Sequence, residues 1–335
     1  MELQDEEICN HIKTDFYEMH FGNTPLFYHE LKNGSTVFAK AEWFNPFGSI
    51  KDRGSFFMVN ENLYKSNRKD KIIIVDGSSG NTGIAIGSIC TKLGIKSMIF
   101  VPSGTSKGTL NELMKTGSDI KKVGSDQSST STELAIEMAK KLSVEHPDEY
   151  IFLHQHGNPM NYKSHIYTTG PETISKMDGM LPDHVAICMG TGGSIIGNGK
   201  YFKMVNPNCK VVMMQSNQDS YIQGVRNLLK AKDKVIIEQN IGIVDGMLNL
   251  NEMDAERGVK FLSDNYGIYV GFSSGANFSG ALKIAEENPN SKVFTVFPDN
   301  GVKYGELYLQ RKMYGESEQI ELEKNVKKII PNYLI

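Results

Sequence analysis

From about Val37 onward, short β-branched apolar runs alternate with longer stretches in which apolar residues recur at helical spacing. A chain written this way buries parallel strands on both faces beneath crossover helices, so the sequence reads as α/β. Residues 71–75, 96–101, 150–153, 184–189, 210–214 and 292–297 are the clearest strands. Helical pattern fills 81–93, 106–115, 132–142, 194–204, 254–265 and 274–286. The 335 residues suffice for two ordinary domains without disulfide or metal staples. Two stretches break the rhythm: 65–71, KSNRKDK, reads as a solvated loop, and 124–133, GSDQSSTSTE, as a connection or helix entry. No repeat of solenoid period is present, and 316–335 lacks a strand signal.

Charge and cysteine usage narrow the function. With 36 Lys and Arg against 39 Asp and Glu, the net charge of −3 excludes a polycationic nucleic-acid binder and points to a small-molecule partner. Cys9, Cys90, Cys188 and Cys209 stand singly with no Cys-x-x-Cys pair, which suits a reducing cytoplasm and argues against a redox or zinc site. The acidic start and the lack of an apolar run near ~18 residues point to a cytoplasmic protein without membrane spans. His154 and His156 flank Gln155 at strand spacing and are expected to face away from it; two histidines without a third ligand predict no metal.

Four turn elements carry the chemistry. Gly190, Thr191, Gly192, Gly193 and Ser194 sit between an apolar strand and a helix, where backbone N–H groups converge on an anion at the positive end of a helix dipole. A dinucleotide reading needs an acidic residue about 20 positions on, and the next strand ends in Gln215 and Ser216 instead. A Walker reading fails at Gly199-Lys200-Tyr201, with Ser194 where a glycine belongs. The second element, Ser78-Ser79-Gly80-Asn81-Thr82-Gly83, offers hydroxyls, an amide and free N–H groups to a carboxylate, with plain N-capping as the alternative. The third, NPFGSIKDR at 45–53, puts Lys51 near the start of a helix, where the dipole disfavours an ammonium and favours an amine nucleophile. The fourth, at 271–276, is by itself a cap.

Taken together and in order, these elements resemble the cysteine synthase and cystathionine β-synthase family of pyridoxal phosphate enzymes, whose fold is tryptophan-synthase-β-like. The resemblance begins at Gly22-Asn23-Thr24-Pro25-Leu26 and runs through NPFGSIKDR at 45–53 and SSGNTG at 78–83 to Gln155, Asn158-Pro159, Asn161, His165 and TTGPE at 168–172. It then takes in GTGGS at 190–194, SSGA at 273–276, Pro298-Asp299-Asn300-Gly301 and Tyr304, about 280 residues in sequential register. It implies two α/β domains: 36–157 with the cofactor lysine and substrate-carboxylate loop, and 1–35 with 158–320 carrying the phosphate loop, followed by a tail at 321–335.

The resemblance also implies roles. Lys51 holds pyridoxal 5'-phosphate as a Schiff base and then serves as the base for the Cα proton. Gly190, Thr191, Gly192, Gly193 and Ser194 hold the cofactor phosphate, Asn81 reads the ring 3-oxygen, and Ser273 faces the pyridine nitrogen. A hydroxyl there does not favour a protonated ring, which suits expulsion of a β-leaving group. Ser78, Ser79, Asn81, Thr82 and Gln155 bind the substrate carboxylate; Ser78 stands where the family more usually has Thr. The implied reaction is β-replacement on an activated serine through α-aminoacrylate, with sulfide or another thiol as acceptor, in a homodimer.

Arg226, where O-acetylserine-using members usually have a small residue, resembles the O-phosphoserine sulfhydrylases. A surface arginine on a mobile loop is the alternative. An O-acetylserine sulfhydrylase, a cystathionine-forming enzyme using serine and homocysteine, a dehydratase and a non-catalytic relative are the rival readings. In this family the active site accepts C-terminal peptides ending in isoleucine, and this chain ends in Ile335, so self-occlusion is set against a tail packed on its own domain or a dimer mate.

Overall fold

The computed structural model describes residues 2–65, 71–78, 80–124 and 132–326. Its strands are β1 (Leu26–Glu30), β2 (Thr36–Ala41), β3 (Ile73–Gly77), β4 (Lys96–Pro102), β5 (Asp119–Val123), β6 (Tyr150–Phe152), β7 (His184–Cys188), β8 (Lys210–Ser216), β9 (Gly246–Leu250) and β10 (Lys292–Phe297). They form a six-stranded sheet in the order β1-β2-β10-β7-β8-β9 and a four-stranded sheet in the order β5-β4-β3-β6. Every pairing is parallel except β1 with β2, which are close in sequence. The expected α/β class with two sheet-and-helix units is therefore what the chain adopts.

Burial on both faces explains the apolar runs. In β10, Val293 and Phe297 point into a core shared with the helices Glu252–Tyr266 and Phe272–Glu287. Phe294 and Val296 point into the opposite core with Ile195, Ile196 and Phe202 of the helix Gly193–Val205. The four-stranded sheet is covered on one face by Phe56, Phe57 and Val59 from the helix Lys51–Lys65, with Ile86 and Ile89 from Asn81–Lys92. Ala135 and Ala139 of the helix Thr132–Glu145 cover the other face.

Two boundaries fall elsewhere than the resemblance implies. β2 pairs with β10 over its whole length, so 36–41 belongs to the six-stranded sheet rather than to the unit with β3 to β6. The helix Glu2–Glu18 places Cys9, Ile12 and Phe16, which share one helical face, in the core of the four-stranded unit. Residues 1–35 are thus divided: their helix goes to the smaller unit and β1 to the larger sheet. The indole N–H of Trp43 donates to the Val326 carbonyl at 3.2 Å, which ties the end of the described chain to the larger unit. The tail from 327, including Ile335, lies outside the described residues, as do Ser79 and most of the two polar breaks. Among the described residues, no helix is long and apolar enough to cross a membrane.

Ser78 follows β3, Gln155 follows β6, Gly190 follows β7, Arg226 follows β8 and Asp299 follows β10. These loops therefore leave the carboxyl ends of parallel strands, where open α/β sheets form their clefts, while the turn carrying Ser273 follows only an isolated bridge from Val270 to Asn300.

Candidate active site

Lys51 opens its helix. Ser49 Oγ accepts from the Lys51 N–H at 3.2 Å, and the Ile50 N–H donates to the Pro298 carbonyl at 2.9 Å, so the turn is pinned to the end of β10. Burial pushes the Lys51 ammonium below its ordinary range; Asp299 opposes the shift and Lys303 adds to it. A Cβ placed on Gly190 would lie 4.0 Å from Lys51 Nζ and 3.2 Å from the Gly224 carbonyl oxygen. The lysine nitrogen therefore sits against the glycine loop, with open space on the remaining side of Gly190.

The loop itself is a tight cradle. Gly192 has φ of 93°, a conformation side chains resist, and starts the helix Gly193–Val205. Thr191 Oγ1 accepts from the Gly193 N–H at 3.3 Å and from Asn161 Nδ2 at 3.0 Å. Asn161 Nδ2 also donates to the Gln155 carbonyl at 2.6 Å, so one amide joins the glycine loop to the turn after β6 that carries Gln155. A Cβ on Gly193 would fall 2.1 Å from Asn161 Oδ1. Ser194 lies in the first turn of the helix, where unpaired N–H groups point outward.

Ser78 Oγ accepts from the N–H groups of Gly80 and Gly83 at 3.2 and 3.0 Å, which shapes the second loop. Thr82 Oγ1 donates to Gln155 Oε1 at 2.7 Å, and Gln155 Nε2 donates to the Gly77 carbonyl at 3.1 Å. Asp76 accepts from the N–H groups of Gly77 and Gln155 at 2.7 and 3.4 Å, and burial pushes its carboxyl up to about 7. Asn81 begins the helix Asn81–Lys92, with its side chain bound to Asp299 and Lys303. Ser273 is buried in the first turn of the helix Phe272–Glu287, and a Cβ on Gly224 would stand 3.6 Å from its Oγ. The loop carrying Arg226 thus passes over Ser273.

Arg226 is half-buried. Its N–H donates to the Met189 carbonyl at 2.7 Å, beside Gly190, and its Nη1 lies 2.9 Å from His156 Nδ1 and donates to the Asp233 carbonyl at 2.8 Å. Burial, with the adjoining guanidinium second, holds His156 well below the usual imidazole range, so Nδ1 accepts. Nε2 of His154 faces the Asp233 carboxylate at 3.0 Å. Both histidines meet partners other than those of Gln155, but the strand spacing expected to turn them away is corrected: β6 ends at Phe152, and His154 has φ of 55°. The alternation ends before it reaches them.

Lys51, Asn81, Thr82, Gln155, Gly190, Thr191, Gly193 and Ser273 are thus brought together around one cleft, with Arg226 at its edge. His156, Asn161, Asp233, Asp299 and Lys303 join them with no role read from the sequence. Asn161 and Asp299 stood in the motifs, and their position there was the available signal. Asp233 and Lys303 are ordinary charged residues in the sequence and gave none.

A lysine amine against a glycine cradle at a helix N-terminus, with a buried serine hydroxyl beneath the neighbouring loop, fits pyridoxal phosphate. The sequence pattern of one family, described as pyridoxal-phosphate dependent enzyme, matches residues 17–299, and the chain belongs to that family. Cysteine synthase B of Escherichia coli is 31% identical over 303 residues, covering 89% of this chain and 96% of its own. Cysteine synthase of Aquifex aeolicus is 31% identical over 294 residues, covering 84% and 88%. A solved structure of a hydrogen sulfide-producing enzyme from Fusobacterium nucleatum matches with a TM-score of 0.80 at 27% identity, over 93% of this chain and 96% of that one. Within the family, the chain is a pyridoxal-phosphate-dependent β-replacement enzyme of the cysteine synthase type.

Proposed function

We propose that this chain forms L-cysteine from an activated serine and sulfide, and that it takes O-phosphoserine in preference to O-acetylserine. The observation that supports the donor most is the half-buried Arg226 guanidinium, held at Nη1 while Nε and Nη2 make no hydrogen bond among the described residues. A phosphate monoester carries nearly two negative charges, and each charge-assisted hydrogen bond to it is worth roughly 1.5–3 kcal/mol. An acetyl ester offers one neutral carbonyl.

Bound pyridoxal phosphate supplies the electron sink that acidifies the substrate Cα–H and lets a β-substituent leave. Lys51 Nζ, kept toward its neutral form by burial, takes the proton from Cα and can return it at the end of turnover. Ser78, Ser79, Asn81, Thr82 and Gln155 orient the substrate through its carboxylate, Asn81 through its main-chain N–H while its side-chain amide meets the ring oxygen of the cofactor, and the Thr82–Gln155 hydrogen bond opens so that both side chains donate to the carboxylate. Gly190, Thr191, Gly192, Gly193 and Ser194 hold the cofactor phosphate, and Ser273 faces the ring nitrogen. Arg226 stabilises the departing phosphate. In this reading the enzyme is a cytoplasmic homodimer, in keeping with four free, buried cysteines.

Steady-state kinetics with O-phosphoserine, O-acetylserine and serine test the proposal. The wild type should show the highest kcat/KM with O-phosphoserine, and Arg226→Ala should lose ~10- to 100-fold with that donor alone. Equal losses with both esters, or a wild-type preference for the acetyl ester, would make this an O-acetylserine enzyme. Cystathionine from serine and homocysteine, or a keto acid released without thiol, would point to the other rivals. Lys51→Ala should abolish turnover with every donor.

A further inference from the structure

Asp299 and Lys303 surround Asn81 without a role in the chemistry above. The Asp299 side chain is 2% exposed, and its Oδ2 accepts from Asn81 Nδ2 at 2.8 Å, Lys303 Nζ at 2.8 Å and the Tyr304 hydroxyl at 2.7 Å. Lys303 Nζ also donates to Asn81 Oδ1. The Asp299 main chain is fixed, because its carbonyl accepts from the Gly271 N–H at 3.1 Å and from Ser274 Oγ at 3.0 Å. Asp299 also forms a β-bridge to Ser49. One residue therefore touches the segments that carry Lys51, Asn81 and Ser273. Its Oδ1 is buried and has no hydrogen-bond partner among the described residues.

An amide side chain can turn over, exchanging its NH2 for its carbonyl. Asn81 meets two neighbours of opposite polarity: a carboxylate only accepts and an ammonium only donates. Together they admit a single orientation, in which one Nδ2 hydrogen is used by Asp299 and the second remains available. We infer that Asp299 and Lys303 are positioning residues that lock the Asn81 amide so that its remaining N–H, and not its carbonyl, is presented to the ring oxygen of pyridoxal phosphate. The inference rests on the reading of Asn81 as the group that meets that oxygen. A turned amide would aim a carbonyl at an oxygen that carries negative charge. The Lys303 bond to Oδ1 also polarises the amide and strengthens the N–H that remains.

The test compares Asn81→Ala, Asp299→Asn, Lys303→Met, Lys303→Arg and the Asn81→Ala/Asp299→Asn double variant as holoenzymes. The readouts are the dissociation constant for pyridoxal phosphate by equilibrium dialysis and the visible absorption spectrum, with thermal melting of the cofactor-free proteins to check folding. Asn81→Ala and Asp299→Asn should each weaken cofactor binding about tenfold and displace the visible band. Lys303→Met should act in the same direction, while Lys303→Arg, which keeps a donor, stays near wild type. In the Asn81→Ala background, Asp299→Asn should add nothing. If Asn81→Ala changes both readouts but Asp299→Asn and Lys303→Met change neither, the inference fails and the role of Asn81 stands. It fails likewise if Asp299→Asn costs as much with Asn81 removed as with it present. If Asn81→Ala itself changes neither readout, the underlying reading of Asn81 falls, and the inference with it.

Discussion

A carboxyl group shut away from water holds its proton to unusual pH, and Asp76 is such a group, pushed by burial up to about 7 from 3.8 although the Gly77 and Gln155 N–H groups oppose the shift. Between those values the folded chain keeps a proton that the unfolded chain has already released. Stability from this residue therefore falls as pH rises from about 4 to about 7, and the cost persists above that window. Asp76→Asn removes the titration. Its unfolding free energy from chemical denaturation, followed from pH 4 to 7.5, should gain on wild type as pH rises, reaching about 1–2 kcal/mol at the upper end. That is below the limit of about 4 kcal/mol set by the displacement, because an amide nitrogen cannot accept from the Gln155 N–H. Parallel curves would show that Asp76 does not carry the proton. Single residues were legible where a motif isolates them: Lys51 after NPFGSI, Asn81 after SSG, Ser273 after GF. Their partners were not, since Asn81 and Asp299 lie 218 positions apart and only folding joins them. His156 shows the reverse error, an alternation carried four residues beyond the strand that justified it.

At the level of elements, the glycine loop is where local sequence and long-range packing meet most tightly. A methyl group on Gly193 would drive into Asn161 Oδ1, and Asn161 cannot step aside while its Nδ2 holds both the Gln155 carbonyl and Thr191 Oγ1. Gly193→Ala should therefore raise the pyridoxal phosphate dissociation constant about tenfold or more, read as cofactor lost on dialysis, with a smaller fall in the melting temperature of the cofactor-free protein. Undiminished retention would leave the segment as a plain turn. The apolar strands β3, β4, β7, β8 and β10 announce themselves because both faces are buried. β5, DIKKV, escaped notice as an edge strand with lysines turned to solvent, the usual protection of an open edge. β9, GMLNL, also an edge, is only half-buried along most of its length. The helix Glu2–Glu18 is mostly polar and shows its apolar stripe at Cys9, Ile12 and Phe16 only when one knows which face is covered.

For the molecule as a whole, a buried charge network joins the two units. Arg53 is fully buried and pairs with Glu42 at 2.6 Å and Glu172 at 2.8 Å, while Lys40 reaches Glu172 at 2.7 Å. The two cations balance the two carboxylates, and the pairing holds Glu172 well below the usual carboxylate range although burial alone would raise it. Removing one partner strands the others in a dry interior, so Glu172→Gln should cost about 3–5 kcal/mol in chemical denaturation. A loss under about 1 kcal/mol would mean that water reaches the network. The presence of two α/β units was readable from rhythm and length, but the assignment of 1–35 and of β2 was not, because pairing with β10 is decided by residues more than 250 positions away. Arg53 stands two places after Lys51, and the Ile50 N–H is held by the Pro298 carbonyl, so the first turn of the lysine helix is bolted to the six-stranded sheet although the rest of that helix packs with the smaller unit. Mechanically the lysine is indexed to the same frame as its cradle, since Ile50 is held at the end of β10 and Gly190 follows β7, the neighbouring strand of the same sheet.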